Sequence, residues 1–169
     1  FVLRGGIPVF IDIHNDTQNM DERLVEAAIT DNTRAIVPVH YAGIACEMNS
    51  LIDIANRYNL AIIEDAAQSA GSSLDSRFAG TWGDVGCFSA HPLKNLNACG
   101  DAGFITTDNE SVAKKIRSMR NHGLIDRETV EEFGFVSRMD AVQAAVLKFR
   151  LERLSNVVAK RKENVAVYH

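Results

Sequence analysis

The sequence has little that points to metal, membrane or nucleic acid. Its three cysteines, Cys46, Cys87 and Cys99, are odd in number, widely spaced and form no CxxC pair. Neither a zinc site nor a disulfide framework is indicated, and a reducing cytoplasm is the simplest compartment. The five histidines show no HExxH or other paired ligand spacing, which argues against a metal site. No apolar run is long enough to cross a bilayer. The net charge of −4, with basic residues scattered except in the last helical segment, gives no electrostatic case for nucleic acid. Gly80, Gly83 and Gly86 do not form a GxGxxG between a strand and a helix, so a nicotinamide-binding reading is weak. There is no internal repeat, linker or low-complexity stretch.

What is present is globular. Apolar content of 46% and charged content of 24% over 169 residues suit one ordinary domain with a sizeable core. The opening FVLRGG reads as the tail of a helix with a glycine stop, and a helical pattern still runs at His169, so the chain is expected to be part of a longer protein. Residues 7–13 (IPVFIDI), 35–39 (AIVPV) and 60–63 read as strands. Residues 21–29 and 48–58 carry helical spacing. This alternation predicts parallel strands with crossover helices: an α/β fold of three layers, a mostly parallel sheet with helices on both faces. Residues 85–89 and 103–107 are two further strands with no room for a helix between them. They either pair with each other or join the same sheet. Asp108 reads as the N-cap of a helix over 111–121, and residues 122–135 as a loop. Ser137 to Asp140 has the form of a capping box. It opens a long helix with Val142, Ala145, Val146, Phe149, Leu154, Val157 and Val158 on its apolar side and a basic opposite side.

Several residues at strand ends could carry chemistry, since open α/β sheets bind ligands beyond the carboxyl ends of their strands. Asp65 follows residues 60–63. It is suited to accept a hydrogen bond from a cationic ring nitrogen, or equally to cap a helix or form a structural salt bridge. Gln68 can donate and accept in a pocket. Ser89 ends a strand and is either a phosphate contact or a turn serine. Lys94 lies in an apolar loop setting beside Pro92. Its amine could condense with a carbonyl to give a Schiff base, or it is a surface lysine in a turn. His40, after IVPV, is expected at a strand end, near the pocket or structural.

The run IIEDAAQSAGSSLDSRFAGTWGDVGCFSAHPLKNLNACGDAGFITTDNE resembles the DegT/StrS-type sugar aminotransferases, a family of fold-type-I pyridoxal-phosphate enzymes. The upstream stretch IPVFIDI…NMDERLVEAAITDNTRAIVPVHYAG and the downstream MRNHG…SRMDAVQAAVL resemble it too, so the likeness covers essentially the whole chain. The ordered block EDAAQ, GCFS and PLKN is its specific part. The resemblance implies a transaminase that moves an amino group from an amino-acid donor, glutamate, to a keto sugar, often nucleotide-linked. It implies pyridoxal 5′-phosphate as cofactor, alternating with pyridoxamine phosphate, and a homodimer whose sites are built from two subunits. Asp65 then matches the acid on the pyridine nitrogen, and Gln68 the contact to the ring hydroxyl. Ser89 matches a phosphate contact, and Lys94 the Schiff-base lysine that also shuttles the proton. Residues 1–138 would be the central part of the cofactor-binding large domain. Residues 139–169 would be a long helix leading toward a small C-terminal domain.

Two positions depart from the family's pattern. Val136 stands where Gly-x-Asn-x-Arg has an asparagine that reaches the phosphate in the partner subunit, and valine cannot make that bond. Ala102 stands in the usual GDGG turn. Two other functions stay in view: a dehydratase or lyase on the same scaffold, disfavoured because the family's sugar dehydratases replace the lysine with histidine, and a catalytically silent scaffold or oligomerisation partner.

Overall fold

The structure is a computed structural model and describes residues 1–168; His169, to which the helical pattern was expected to run, lies outside the described residues. Four strands form one sheet: β1 (Ala35–Ile36), β2 (Ala61–Asp65), β5 (Val85–Ser89) and β6 (Gly103–Thr106), in the order β1-β2-β5-β6. The first three are parallel, and β6 runs antiparallel to β5. The two last strands therefore both pair with each other and join the common sheet. A two-stranded hairpin, β3 (Ser73–Leu74) with β4 (Arg77–Phe78), lies between β2 and β5 in sequence.

Register assigns the faces. Ile36 pairs with Ile62, Glu64 with Gly86, and Gly86 with Thr106, so these side chains share one face. Asp65 pairs with Cys87, and Cys87 with Ile105, on the other. The first face is covered by α2 (Met48–Tyr58), whose Met48, Leu51, Ile54 and Ala55 recur at helical spacing and are buried against Ile36 and Ile62. Asn59 ends α2 in the left-handed region, its N–H returned to the carbonyls of Ala55 and Asn56. A second cluster (Ala70, Ala90, Leu96, Ala98 and Leu147) packs with Phe88 and Phe104, whose rings stack at 4.6 Å. It seats α4 (Ala141–Leu151) against the loop between β5 and β6.

Several expectations are corrected. Residues 7–13 are not a strand: only Ile13 forms a bridge, to Met20, and Ile7 and Phe10 are about 90% exposed. An extended apolar segment becomes a strand only where a neighbour takes its hydrogen bonds, and no described strand lies beside residues 7–10. The opening segment is a single 3₁₀ turn, Val2–Arg4, closed by left-handed Gly5. β1 is two residues long because Pro38 has no N–H to give the ladder, which resumes only as a bridge between Val39 and Asp65. The segment after Asp21 forms one α-turn, α1 (Glu22–Val25), and then a 3₁₀ turn.

The cap of α3 (Glu110–Met119) is Asn109 rather than Asp108. Its Oδ1 accepts from the N–H groups of Ser111 and Val112. The capping box at Ser137 is not made: Asp140 caps α4 without a side-chain bond. The one long helix expected beyond it is two, α4 and α5 (Leu154–Tyr168). Arg153 stands at the break. Its guanidinium donates to the Phe149 carbonyl that its own N–H would have bonded in a continuous helix, and that N–H turns to Arg150 instead.

Candidate active site

β2 and β5 run parallel and finish side by side, so their last side chains meet at one edge of the sheet. Asp65 ends β2 directly across from Cys87, and Ser89 follows two residues further along β5 on the same face. Asp65 is tied down by its backbone: its N–H donates to Pro38 and its carbonyl accepts from His40. One carboxylate oxygen, Oδ1, accepts the N–H of Ala67 at 3.0 Å, which starts the turn into residues 66–69. The other oxygen stays free to accept.

Gln68 stands on that turn and is exposed. Its Oε1 accepts the N–H of Ala42, a residue held at φ 51°. With its acceptor end taken, the amide offers its NH₂ group, the donor that an anionic ring oxygen needs. The Ser89 hydroxyl accepts weakly from the His91 N–H at 3.3 Å and keeps its own O–H to give. Lys94 is half-buried in the loop of residues 90–102, where its N–H closes a turn onto the His91 carbonyl. A free carboxylate oxygen and a hydroxyl therefore share one strand edge, with an amide NH₂ on the turn that leaves β2 and an amine in the loop that leaves β5. Among them they match a cationic ring nitrogen, a ring oxygen, a phosphate and an aldehyde, so the donor set fits pyridoxal phosphate.

Beneath this edge, on the opposite face, lies a group that sequence reasoning passed over. Glu64 is fully buried, and so is His40, whose Nε2 lies 2.8 Å from Glu64 Oε2. The N–H groups of Gly80, Trp82 and Gly83 also donate to the Glu64 carboxylate. Of the two settings open to His40, it takes the structural one. The signal available was the pair Glu64-Asp65, since adjacent strand residues must face opposite ways.

Two cavities, of about 360 and 260 Å³, lie away from this edge and touch none of Asp65, Gln68, Ser89 or Lys94. The smaller is flanked by His14 and Glu22, 2.8 Å apart, with Asp21 at 3.8 Å from the imidazole. These three have metal-ligand types, but Arg23 donates to both Asp21 oxygens and already supplies the positive charge. At the two departures, Val136 bridges Asn121 and is largely exposed. The Ala102 carbonyl accepts from the Ala90 N–H, and its methyl packs in the second cluster.

A mostly parallel sheet with its polar side chains gathered at the carboxyl ends of adjacent strands defines an α/β ligand-binding domain. The chain belongs to the DegT/DnrJ/EryC1/StrS aminotransferase family, whose model matches residues 2–169. It is 42% identical to a dTDP-3-amino-3,4,6-trideoxy-alpha-D-glucose transaminase of Micromonospora megalomicea subsp. nigra, over 94% of this chain and 42% of that protein. It is 39% identical to a pleiotropic regulatory protein of Geobacillus stearothermophilus, over 97% of this chain and 44% of that one. Among solved structures it resembles NtdA from Bacillus subtilis with bound cofactor PMP. There the TM-score is 0.81 at 40% identity, covering 92% of this chain and 35% of that one. The chain thus spans under half the length of the curated relatives it matches.

Proposed function

We propose that this chain is the central part of a pyridoxal-phosphate-dependent aminotransferase that transfers an amino group from glutamate to a keto sugar carried on a nucleotide. The observation that carries this reading is the shared strand edge: Asp65 and Ser89 on one face at the ends of parallel strands, with Lys94 in the loop that follows. The names of the sugar transaminase relatives support the substrate class. Residues 1–138 would be the core of the large domain, and 139–169 would lead to a small C-terminal domain. Exposed Val130, Phe133, Phe135 and Val136 support pairing with a second copy as a homodimer. Three free thiols agree with a reducing cytoplasm.

The residues have distinct roles in this reading. Pyridoxal phosphate, when bound, supplies an aldehyde that condenses with amines and a ring that accepts electron density. Asp65, through its free oxygen, would hold the proton on the ring nitrogen. Gln68 would donate its NH₂ to the ring oxygen, and Ser89 its hydroxyl to the phosphate. Lys94 Nζ would hold the aldehyde by a Schiff base. Once displaced by the donor amine, it would take a proton from the donor's α-carbon and deliver it to the carbon that had been the aldehyde.

Borohydride reduction of the complete, cofactor-loaded protein tests the assignment. The peptide spanning residues 90–103 gains the mass of the reduced cofactor, and Lys94→Ala abolishes that gain. A mass gain that survives the substitution, or none in the unsubstituted protein, sinks the reading.

A further inference from the structure

Lys94 can act only if its loop is held still, and two of the loop's own bonds close its base. The Ala98 N–H donates to the Ala90 carbonyl, and the Ala90 N–H to that of Ala102. The outer part, residues 92–99, is held from α4. Gln143, Leu147 and Arg150 recur at helical spacing and form one stripe. Buried Leu147 packs with Leu96, Ala98 and Ala90. On one side of it, Gln143 Oε1 accepts the Cys99 N–H at 2.8 Å. On the other, Arg150 Nη1 donates to the Asn97 carbonyl at 2.9 Å and also to Asn97 Oδ1. The Asn97 amide in turn donates to the Pro92 carbonyl at 2.8 Å, two residues before Lys94.

We infer that Gln143 and Arg150 are positioning residues for Lys94: they brace the lysine loop from α4, Arg150 through Asn97 to Pro92 and Gln143 through Cys99, so that the amine is held at the edge formed by Asp65 and Ser89. This rests on the function proposed above. Two anchors flanking an apolar contact fix both the height and the tilt of the loop, which a packing contact alone leaves free. Neither anchor is among the residues assigned above to the cofactor; their bonds run to Cys99 and Asn97. Their effect reaches the chemistry only through the placement of Lys94 Nζ.

The test uses the complete protein with Gln143→Leu, Gln143→Glu and Arg150→Met. Glutamate keeps an acceptor for the Cys99 N–H, and methionine fills the arginine's volume without its donors. In the cofactor-free protein, Gln143→Leu is expected to raise amide exchange at Cys99 and its neighbours by roughly ten-fold, the loss of one hydrogen bond. In the loaded enzyme, kcat falls by roughly 10- to 100-fold with the KM for the donor little changed, as for a misplaced reacting group. The pH midpoint of the cofactor's absorbance moves as well. Gln143→Glu restores all three, and Arg150→Met reproduces the losses through Asn97. Faster exchange with unchanged kcat and midpoint overturns the inference and leaves a purely structural contact, and unchanged exchange overturns the brace itself. A failure of the proposed function is seen separately, as cofactor trapped in Lys94→Ala. In that event the inference about Lys94 falls with it.

Discussion

His40 Nε2 donates to Glu64 Oε2 at 2.8 Å with both side chains wholly buried. The tautomer follows from the other ring nitrogen: Nδ1 accepts the Cys46 N–H at 3.1 Å, so the proton sits on Nε2. With Gly80, Trp82 and Gly83, the Glu64 carboxylate receives four donors from two separate segments. It thereby locks the carboxyl end of β2 from beneath while Asp65, one residue on, faces the opposite side. Glu64→Leu removes the acceptor and strands four N–H groups, two of them buried and two half-buried. It is expected to cost ~3–5 kcal/mol, read as a lower urea midpoint at unchanged slope. A loss under ~1 kcal/mol would show that these bonds do not hold the strand end.

The same pair shapes the acid limb of stability. Burial pushes the Glu64 carboxyl up, but hydrogen bonds from His40, Gly83 and Gly80 outweigh it, and the net value lies below the ordinary one. The Arg23 guanidinium holds Asp21 down to about 2. For a lowered carboxyl, the stabilisation is complete above the unfolded value, about 4, and is lost as pH falls through the folded value. His14 behaves oppositely. Its hydrogen bond to Glu22 raises it, so its contribution is complete below the unfolded value of about 6.5 and lost as pH rises through the folded one. Urea midpoints should therefore fall on the acid side, and Glu64→Gln should flatten that fall. Equal slopes in the two proteins would remove Glu64 from the account.

Gly80 links the same cluster to the stacked phenylalanines. It sits at φ +82°, and a Cβ there would lie 2.2 Å from the Phe88 ring and 3.2 Å from the Ala66 methyl. Phe88 cannot yield freely, because it stacks on Phe104. Gly80→Ala combines backbone strain with overpacking and is expected to destabilise by ~2–4 kcal/mol. Thermal or urea unfolding checks this, and an unaltered midpoint would contradict it.

The three thiols should react in a fixed order. Cys99 is exposed and reacts first. Burial, and then the charge of Asp65, raise the half-buried Cys87 thiol. Burial pushes Cys46 up to about 12, and its Sγ–H is held by the Val39 carbonyl. Exposure therefore puts Cys99 first, and thiolate supply favours Cys87 over Cys46. Because Cys87 shares the face of Asp65, loading with pyridoxal phosphate should slow its labelling and leave Cys99 unchanged. Mass mapping of alkylated peptides with and without cofactor decides both points, and equal labelling of Cys87 in the two states would contradict the shared site.

How much of this was legible depended on how local its cause is. α2 follows from the spacing of Met48, Leu51, Ile54 and Ala55 within one segment, and its bounds are those of the sequence reading. The strand character of residues 7–13 depends on a neighbour, which no local pattern reports. The break at Arg153 comes with a side chain bonded to a backbone carbonyl, which spacing does not report. At the site, the positions of Asp65 and Ser89 at strand ends could be read from two apolar runs. The orientation of the Gln68 amide could not, because Ala42 sets it from 26 residues away.

Asp65 offers the sharpest separation of fold from function. Asp65→Asn keeps an oxygen for the Ala67 N–H, so the turn into Gln68 should survive with stability within ~1 kcal/mol of the original. What disappears is the negative charge. On the proposed function the ring nitrogen then loses its partner, and kcat is expected to fall roughly 10²- to 10³-fold, the usual cost of one preorganised electrostatic contact. The charge has a second reporter that needs no cofactor: it raises the Cys87 thiol directly across the ladder, so Asp65→Asn should speed Cys87 alkylation in the cofactor-free protein. Faster Cys87 labelling with unaltered turnover would mean that Asp65 carries its charge at this edge but does not serve the cofactor ring.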